Sequence, residues 1–488
     1  MVPEVEKNKF MEHKGLSIDG DKGGESMKRK ILSIALLAML ALGCGAKASA
    51  QSVSINQKTF PNKIFRTEVS KWDRDRNGTL SVKEIKNIKK ISMKTKAKNQ
   101  NKTMNLAGIE RLSHLTELRV ENGYRIKNLK SKSLKKMTVD QYALSKLSVK
   151  GVPNLTAFSV IPKNELKDDE GYSPVKKPLV DFSDVKKLKT LHYDYEPSIH
   201  TIDNFNISQN YELRDVEIVA ELTQIDIQKL KKLRKLNLYM TDEYTLDVSM
   251  LENLESLTLL CSVGKVIFPQ TGSLKELDLE SLRKVDVSSQ EQLTRLRLFN
   301  CQLVSDLSSN DKLREIEIDG LLYVIRNETL GPLNFKNKKN LQVLRLCDVN
   351  NQDLLLGEST KLEELELTDC RGTSLQMPES SALRKIRLED ADIPELSLLG
   401  CPNVEDIKLR AWNQILPKVT AKSLRELKYV SLIGKPDNQG SSDYTLDSFD
   451  ISKSSKIKTL YIYELPAYKV KRKWFPKLKE TNLWNIKD

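Results

Sequence analysis

The sequence is poor in the residues from which most catalytic sites are built. Its 488 residues include only four histidines and six cysteines. No G-x-S-x-G turn, phosphate-binding loop or glycine-rich nucleotide turn occurs in it. Two histidines end the segment His192–His200, but its spacing of histidines and acids matches no zinc signature. Because catalysis needs several such groups together, we predict that this protein is not an enzyme.

The cysteines are too few and too widely spaced to form a disulfide framework. Apart from Cys44, they are Cys261, Cys301, Cys347, Cys370 and Cys401. This is an odd number, and no two of them are close in the sequence. We therefore expect small buried thiols at repeated positions.

Long hydrophobic runs are also missing. The longest candidate, Ile31–Gly43, is too short to span a bilayer as a helix. It follows the basic residues Lys28–Lys30 and precedes small residues, which is typical of a signal peptide over 27–50. Residues 1–26 then form an upstream extension that need not be translated.

Two processing sites follow the apolar run. Ala48-Ser49-Ala50 favours cleavage before Gln51, whereas Leu40–Cys44 resembles a bacterial lipobox in which Cys44 carries a lipid. Either one predicts an extracellular protein, secreted or held at the cell surface. Membrane contact is expected only through the signal peptide or a lipid anchor.

Acidic residues are outnumbered, with 66 Asp and Glu against 80 Lys and Arg, so the net charge is +14. Such an excess favours anionic partners, including cell-wall polymers, acidic glycans and nucleic acid. The net charge alone does not distinguish among these partners.

What the chain has in abundance is a repeat of the form L-x-x-L-x-L. Successive copies start 19 to 21 residues apart, except for one step of 28. The clear copies start at Leu233, Leu254, Leu274, Leu293, Leu313, Leu341, Leu362, Leu383, Val404 and Leu424. Weaker copies start at Leu115, Leu134, Leu155, Leu188, Leu213, Ile457 and Leu478.

This period predicts a leucine-rich-repeat solenoid. The last two apolar residues of each copy are two apart, so a strand places both on one face. A single strand cannot bury that face, but stacked parallel strands form a continuous core. Many units also contain an apolar-Asp-apolar-Ser return, as in Leu246–Ser249, which predicts short extended or 3-10 segments on the convex side.

Residues 73–84, DRDRNGTLSVKE, have the pattern of an EF-hand calcium loop. Oxygen ligands stand at the required positions and a glycine, Gly78, stands at the sixth. The expected ligands are Asp73, Asp75, Asn77, Thr79 through its carbonyl, Ser81 and Glu84. Helices are expected on both sides, over 64–72 and 82–91. Since no second loop occurs, we expect a structural calcium ion that clamps a cap over the first repeat.

The chain resembles leucine-rich-repeat surface proteins of gut-dwelling Gram-positive bacteria. The resemblance lies in the repeat, in its Asp-x-Ser return and in the lead-in from Phe60 to Ile85. It implies a leucine-rich-repeat horseshoe of the α/β-type solenoid class with a parallel concave β-sheet. We expect a small EF-hand-like helical cap over 55–104 and the repeat domain over 105–488, with a C-terminal cap from about 457.

Charges at the fifth repeat position alternate in sign through the middle of the repeat domain, from Asp278 to Arg387. Neighbouring strands lie about 4.8 Å apart, so these charges can pair with each other. A polyanion would then find no continuous positive track, and we expect no nucleic-acid partner.

The C-terminal end differs, because it combines tyrosines with unpartnered positive charge. Such residues are common in binding hot spots. The candidate ligand-binding residues are Lys408, Lys428, Tyr461, Tyr463, Tyr468, Lys469, Lys471, Arg472 and Lys473. Trp474 and Phe475 are more simply explained as a cap that buries the last repeat.

These observations predict non-covalent recognition of a protein or glycan, or adhesion to it, at the concave face or the C-terminal end. One alternative is a structural envelope protein that binds anionic wall polymer. A surface hydrolase is the least favoured alternative, since it would need acids and histidines clustered on one face.

Overall fold

The computed structural model describes most of the chain after the signal segment. The described residues are 52–94, 102–121, 124–162, 180–195, 202, 205–240, 245–260, 264–282, 284–320, 332–412, 416–421, 424–434, 449–465 and 471–484. All of them except Ser52 belong to one unit, Val53–Asp488. The predicted signal peptide, Cys44, Cys261, Tyr468 and Lys469 lie outside the described residues.

Two short helices and two short strands precede the repeats. They are β1 (Val53–Ser54), α1 (Lys63–Ser70), β2 (Thr79–Leu80) and α2 (Val82–Asn87). Helix α1 starts where the Asn62 side chain accepts a hydrogen bond from the Phe65 N–H at 2.9 Å, and it buries Phe65 and Val69.

Helix α2 is shorter than predicted. It ends at Asn87, and the chain continues into a strand in which Ile91 and Met93 are buried while their neighbours are not. Alternate burial with a period of two gives a strand, so the prediction of helix up to residue 91 was wrong. Lys90–Lys94 already belongs to the repeat ladder, although it lies inside the segment expected to form the cap.

The other elements follow in chain order. The strands are β3 (Lys90–Lys94), β4 (Thr103–Asn105), β5 (Glu117–Glu121), β6 (Arg125–Lys127), β7 (Lys136–Asp140), β8 (Ala157–Ile161), β9 (Thr190–Asp194), β10 (Asp215–Leu222), β11 (Lys235–Met240), β12 (Thr245–Asp247), β13 (Ser256–Leu260), β14 (Lys265–Ile267), β15 (Glu276–Glu280), β16 (Arg295–Phe299), β17 (Glu315–Asp319), β18 (Val343–Cys347), β19 (Asp353–Leu355), β20 (Glu364–Thr368), β21 (Ser374–Gln376), β22 (Lys385–Glu389), β23 (Glu395–Ser397), β24 (Asp406–Arg410), β25 (Lys418–Thr420), β26 (Tyr429–Ile433), β27 (Thr459–Tyr463) and β28 (Glu480–Trp484). Three 3-10 segments cover Ile109–Arg111, Gln141–Lys146 and Arg472–Trp474.

One parallel ladder runs through the described repeats. Each of its strands pairs with the next, in the order β3, β5, β7–β11, β13, β15–β18, β20, β22, β24 and β26–β28. The leucines pair directly across it: Leu236 with Leu257, Leu257 with Leu277 and Leu277 with Leu296. These side chains are at most 1% exposed, so the predicted solenoid with a stacked core is confirmed.

The opposite side of the solenoid is built from short extended segments, as predicted. Four parallel pairs form there, namely β4 with β6, β12 with β14, β19 with β21, and β23 with β25. The Asp-x-Ser return is a local turn, because the Asp247 carboxylate accepts a hydrogen bond from the Ser249 N–H at 2.9 Å. The same bond forms at Asp181, Asp286, Asp306 and Asp450.

One unit of the repeat was assigned to the wrong register from the sequence. The copy starting at Leu424 was expected to place Leu427 and Tyr429 in the core strand, but the strand begins at Tyr429. Val430 and Leu432 pair with Ile407 and Leu409 and are fully buried. This unit is three residues longer than the sequence indicated, because two overlapping apolar patterns occur there and only packing selects one.

Two of the predicted structural thiols occupy buried turns. Cys301 and Cys370 are 0% exposed, and each Sγ lies 3.3–3.5 Å from backbone carbonyl oxygens of its own turn and of another rung. Burial raises the pKa of Cys301 to about 12 and that of Cys370 to about 11. The expectation of small packed thiols at these positions is confirmed.

Candidate functional site

Ladder residues opposite the core form a network of ion pairs across neighbouring strands. Arg297 lies 3.0 Å from both Asp278 on the strand before it and Glu317 on the strand after it. Arg345 lies 3.5 Å from Glu317 and 3.1 Å from Glu364. We call Asp278, Arg297, Glu315, Glu317, Arg345, Glu364, Glu366, Lys385 and Arg387 the concave ion-pair array. The predicted pairing of alternating charges is thus present.

The array continues into residues that the sequence assigned to ligand binding. Lys408 forms an ion pair with Glu389, and the ammonium of Lys428 lies 2.5 Å from a carboxylate oxygen of Glu405. Lys428 also does not occupy the fifth repeat position, because Ser431 pairs with Lys408 there. The charges of Lys408 and Lys428 are thus neutralised within the protein. The sequence could not show this, because their acidic partners occupy other positions of the repeat.

The last rungs present tyrosines in place of the ion pairs. Tyr429 and Tyr461 are diagonal neighbours on adjacent strands, and their rings contact edge to face with centroids 6.1 Å apart and an interplanar angle of 65°. The Tyr461 hydroxyl donates to Glu480 at 3.2 Å, and partial burial together with that carboxylate raises its pKa. Tyr463 lies two residues further along the same face. We call Tyr429, Tyr461 and Tyr463 the tyrosine surface.

Sequence reasoning found two of these three tyrosines. Tyr429 was missed because the misplaced repeat assigned it to the core. Lys471 and Lys473 are exposed, as expected. Phe475 is 2% exposed and its ring contacts that of Trp474 edge to face, so a capping role fits this pair. Arg472 starts the 3-10 segment before them.

At the other end of the ladder, the DRDRNGTLSVKE segment forms a compact loop between α1 and α2. One carboxylate oxygen from each of Asp73, Asp75 and Glu84 lies within 4.8 Å of the others. This is the one such group of three or more potential metal ligands among the described residues. Gly78 has a φ of 78°, a left-handed conformation that favours glycine at the tight point of the loop.

Glu84 is held in place by the helix start. Its carboxylate accepts hydrogen bonds from the Ser81 N–H at 2.8 Å, the Ser81 hydroxyl at 2.7 Å and the Arg74 N–H at 2.7 Å. The bonds from Ser81 lower the pKa of Glu84, and the bond from Arg74 adds to this effect. Glu84 therefore stays ionised at neutral pH and can offer negative charge to a cation.

The loop also has a strand partner. In this chain β2 pairs antiparallel with β1, so that Leu80 lies opposite Val53 and Thr79 opposite Ser54. The segment that starts two residues after Gln51 is thus hydrogen-bonded to the loop.

The comparisons with known proteins identify the fold. No protein-family model and no curated protein matches the chain. A leucine-rich-repeat protein of Leptospira interrogans superposes with a TM-score of 0.53 and 18% identity, over 82% of this chain and 96% of that one. This chain has a leucine-rich-repeat fold.

Two internalin structures are also similar to the chain. The functional domain of InlJ from Listeria monocytogenes, which includes a cysteine ladder, gives a TM-score of 0.49 at 17% identity, over 77% of this chain and 78% of that one. Internalin InlF from the same organism gives 0.42 at 13% identity, over 80% and 99%. Among the described residues, no helix has the length and apolar character needed to cross a membrane.

Proposed function

We propose that this is an exported leucine-rich-repeat protein that recognises a protein or glycan ligand at or outside the cell surface. The observation that carries this proposal is the contrast along the concave face. In its middle, charged side chains are paired with one another, whereas the last rungs present the tyrosine surface. Tyrosines offer a large rigid contact area together with a polar hydroxyl, which suits a recognition site.

Cross-linking to a ligand source tests this assignment. The full-length protein is compared with the double variant Tyr429→Ala/Tyr461→Ala and with the control Tyr211→Ala, which removes a 45% exposed tyrosine elsewhere. Host and bacterial extracts serve as the source, and cross-linked peptides are identified by mass spectrometry. We expect cross-links near 459–463 that the double variant loses and the control keeps. Cross-links spread evenly over the ladder would reject the tyrosine surface.

We further propose that the N-terminal loop binds calcium, with Asp73, Asp75, Asn77, the Thr79 carbonyl, Ser81 and Glu84 as its ligands. Three clustered carboxylates and hard oxygen donors suit Ca²⁺. Since β2 pairs with β1 and α2 leads into β3, a bound ion would tie β1 to the ladder strand β3. Calcium would then have a structural role in the cap, with affinity matched to extracellular concentrations.

A structural role in the envelope is the second candidate function. The positive net charge favours it, as does a lysine-lined recess beside the first ladder strands.

A further inference from the structure

A basic recess of about 490 Å³ lies at the edge where the first ladder strands begin. Ten residues line it, namely Lys89, Ser113, His114, Thr116, Lys132, Ser133, Lys135, Asn154, Thr156 and Lys187. Four of these are lysines and none is acidic. All four lysines are exposed, so their ammonium groups are available to solvent.

Further along the same edge, two glutamates pair with basic residues of adjacent rungs. Arg234 and Lys275 share Glu255, and Arg384 and Lys428 share Glu405, from adjacent rungs. Thr116 and Thr156 directly precede β5 and β8. Glu255 and Glu405 hold the same position directly before β13 and β24. At these two rungs the recess carries a threonine hydroxyl where the rungs of β13 and β24 carry a carboxylate.

The walls of the recess are fixed by hydrogen bonds between rungs. The Thr116 hydroxyl donates to the Lys89 carbonyl at 3.1 Å, and the Thr156 hydroxyl donates to the Lys135 carbonyl at 3.0 Å. The Asn154 amide donates to the Lys132 carbonyl at 2.8 Å and accepts from the Lys187 ammonium at 2.7 Å. Lys187 is thereby held by a neutral partner, which does not offset its charge.

None of the four recess lysines forms an ion pair with a described residue, whereas Lys90 beside them pairs with Glu117 at 2.5 Å. Four positive charges around one concavity repel each other, and an anion bound among them relieves that repulsion. Lysine ammonium groups bind phosphate as point charges, and the described residues that line the recess include four lysines and no acidic residue.

We propose that this recess binds phosphate groups of an extended phosphodiester polymer that lacks bases. None of the described residues that line it is a tyrosine, tryptophan or phenylalanine, so they offer no stacking surface of the kind that holds single-stranded nucleic acid. This deepens the second candidate function and gives the anionic polymer a site at the opposite end of the ladder from the tyrosine surface. The two proposals can therefore fail independently.

The test measures binding of fluorescently labelled poly(glycerol phosphate) to the full-length protein by anisotropy at two salt concentrations. The recess variant carries Lys89→Gln, Lys132→Gln, Lys135→Gln and Lys187→Gln. The matched control carries Lys232→Gln, Lys312→Gln, Lys361→Gln and Lys458→Gln, and so loses the same net charge from elsewhere. We expect the recess variant to bind about tenfold more weakly or worse, with a reduced salt dependence, and the control to change by less than about twofold.

Equal losses in the two variants would overturn the proposal, because they would show attraction to net charge alone. Tighter binding of single-stranded RNA, or equally tight binding of heparin, would also overturn it in favour of another class of polyanion. Inorganic phosphate that binds as tightly as the polymer would show that a free ion is the ligand. Unchanged unfolding temperatures confirm that both variants are folded.

Discussion

Arg345 Nε lies 3.1 Å from Glu364 Oε1 on the next strand, and its Nη1 lies 3.5 Å from Glu317 Oε2 on the strand before. One guanidinium thus joins three consecutive rungs. Glu315 and Glu366 lie within 3.8 Å of the same group. This relationship explains how the middle of the concave face holds many charges with little repulsion.

We predict that Arg345→Met destabilises the protein more than the loss of an ordinary surface ion pair. Four carboxylates would lose their shared cation, which we expect to lower the free energy of unfolding by about 1–2 kcal/mol, less at high salt. Urea unfolding at low and high ionic strength measures this. The control is Lys71→Met, which breaks an exposed pair with Glu68 at the C-terminal end of α1 and should cost under about 0.5 kcal/mol. Equal effects of the two variants would show that the array does not act as a network.

We predict that replacing Asp75 weakens calcium binding but leaves the stability of the calcium-free protein unchanged. Asp75 is exposed, whereas Glu84 also caps α2. Asp75→Asn should weaken calcium binding about tenfold or more in calorimetry, with the unfolding temperature in chelator unchanged. Glu68→Gln, just outside the loop, is the control. Wild-type protein that releases no heat with millimolar calcium would contradict the site.

The Asp-x-Ser turns predict a specific acid sensitivity. The Ser249 hydrogen bonds lower the pKa of Asp247 below its ordinary value of 3.8. A lowered folded-state pKa gives stability that is complete above the unfolded-state pKa and is lost as pH falls through the folded-state value. Asp247→Asn keeps an acceptor but cannot titrate, so its stability should change less than that of wild type below about pH 4. Thermal unfolding between pH 2 and 7 gives the comparison, and parallel curves would refute the assignment.

The described cysteines should resist alkylation in the folded protein. Burial raises the pKa of Cys301 and of the half-buried Cys347 to about 12, so little thiolate forms at pH 8. Mass spectrometry after iodoacetamide treatment, peptide by peptide, should show labelling of Cys301, Cys347, Cys370 and Cys401 only after denaturation. Rapid labelling of Cys301 in native conditions would mean that its turn is not packed as described.

The predictions that succeeded from sequence are those set by a short period. Leu236, Leu257, Leu277 and Leu296 could be aligned as one column because each apolar pattern repeats within about 20 residues and can be buried only by stacking. The Asp-x-Ser returns were recognised for the same reason. Alternating charges such as Asp278, Arg297 and Glu317 predicted their own pairing, because the stack fixes their separation.

The sequence alone determined the solenoid, its core columns and the oxygen-rich loop, since each depends on residues close in the chain or equivalent in the repeat. Only the tertiary structure decided which pattern around Leu424 enters the core, and thus that Tyr429 faces outward beside Tyr461. It also decided that Val53 pairs with Leu80, that Lys408 and Lys428 have acidic partners, and that the four recess lysines pair with no acid among the described residues. Those outcomes depend on which side chains contact each other across rungs, and such contacts cannot be predicted from the local sequence.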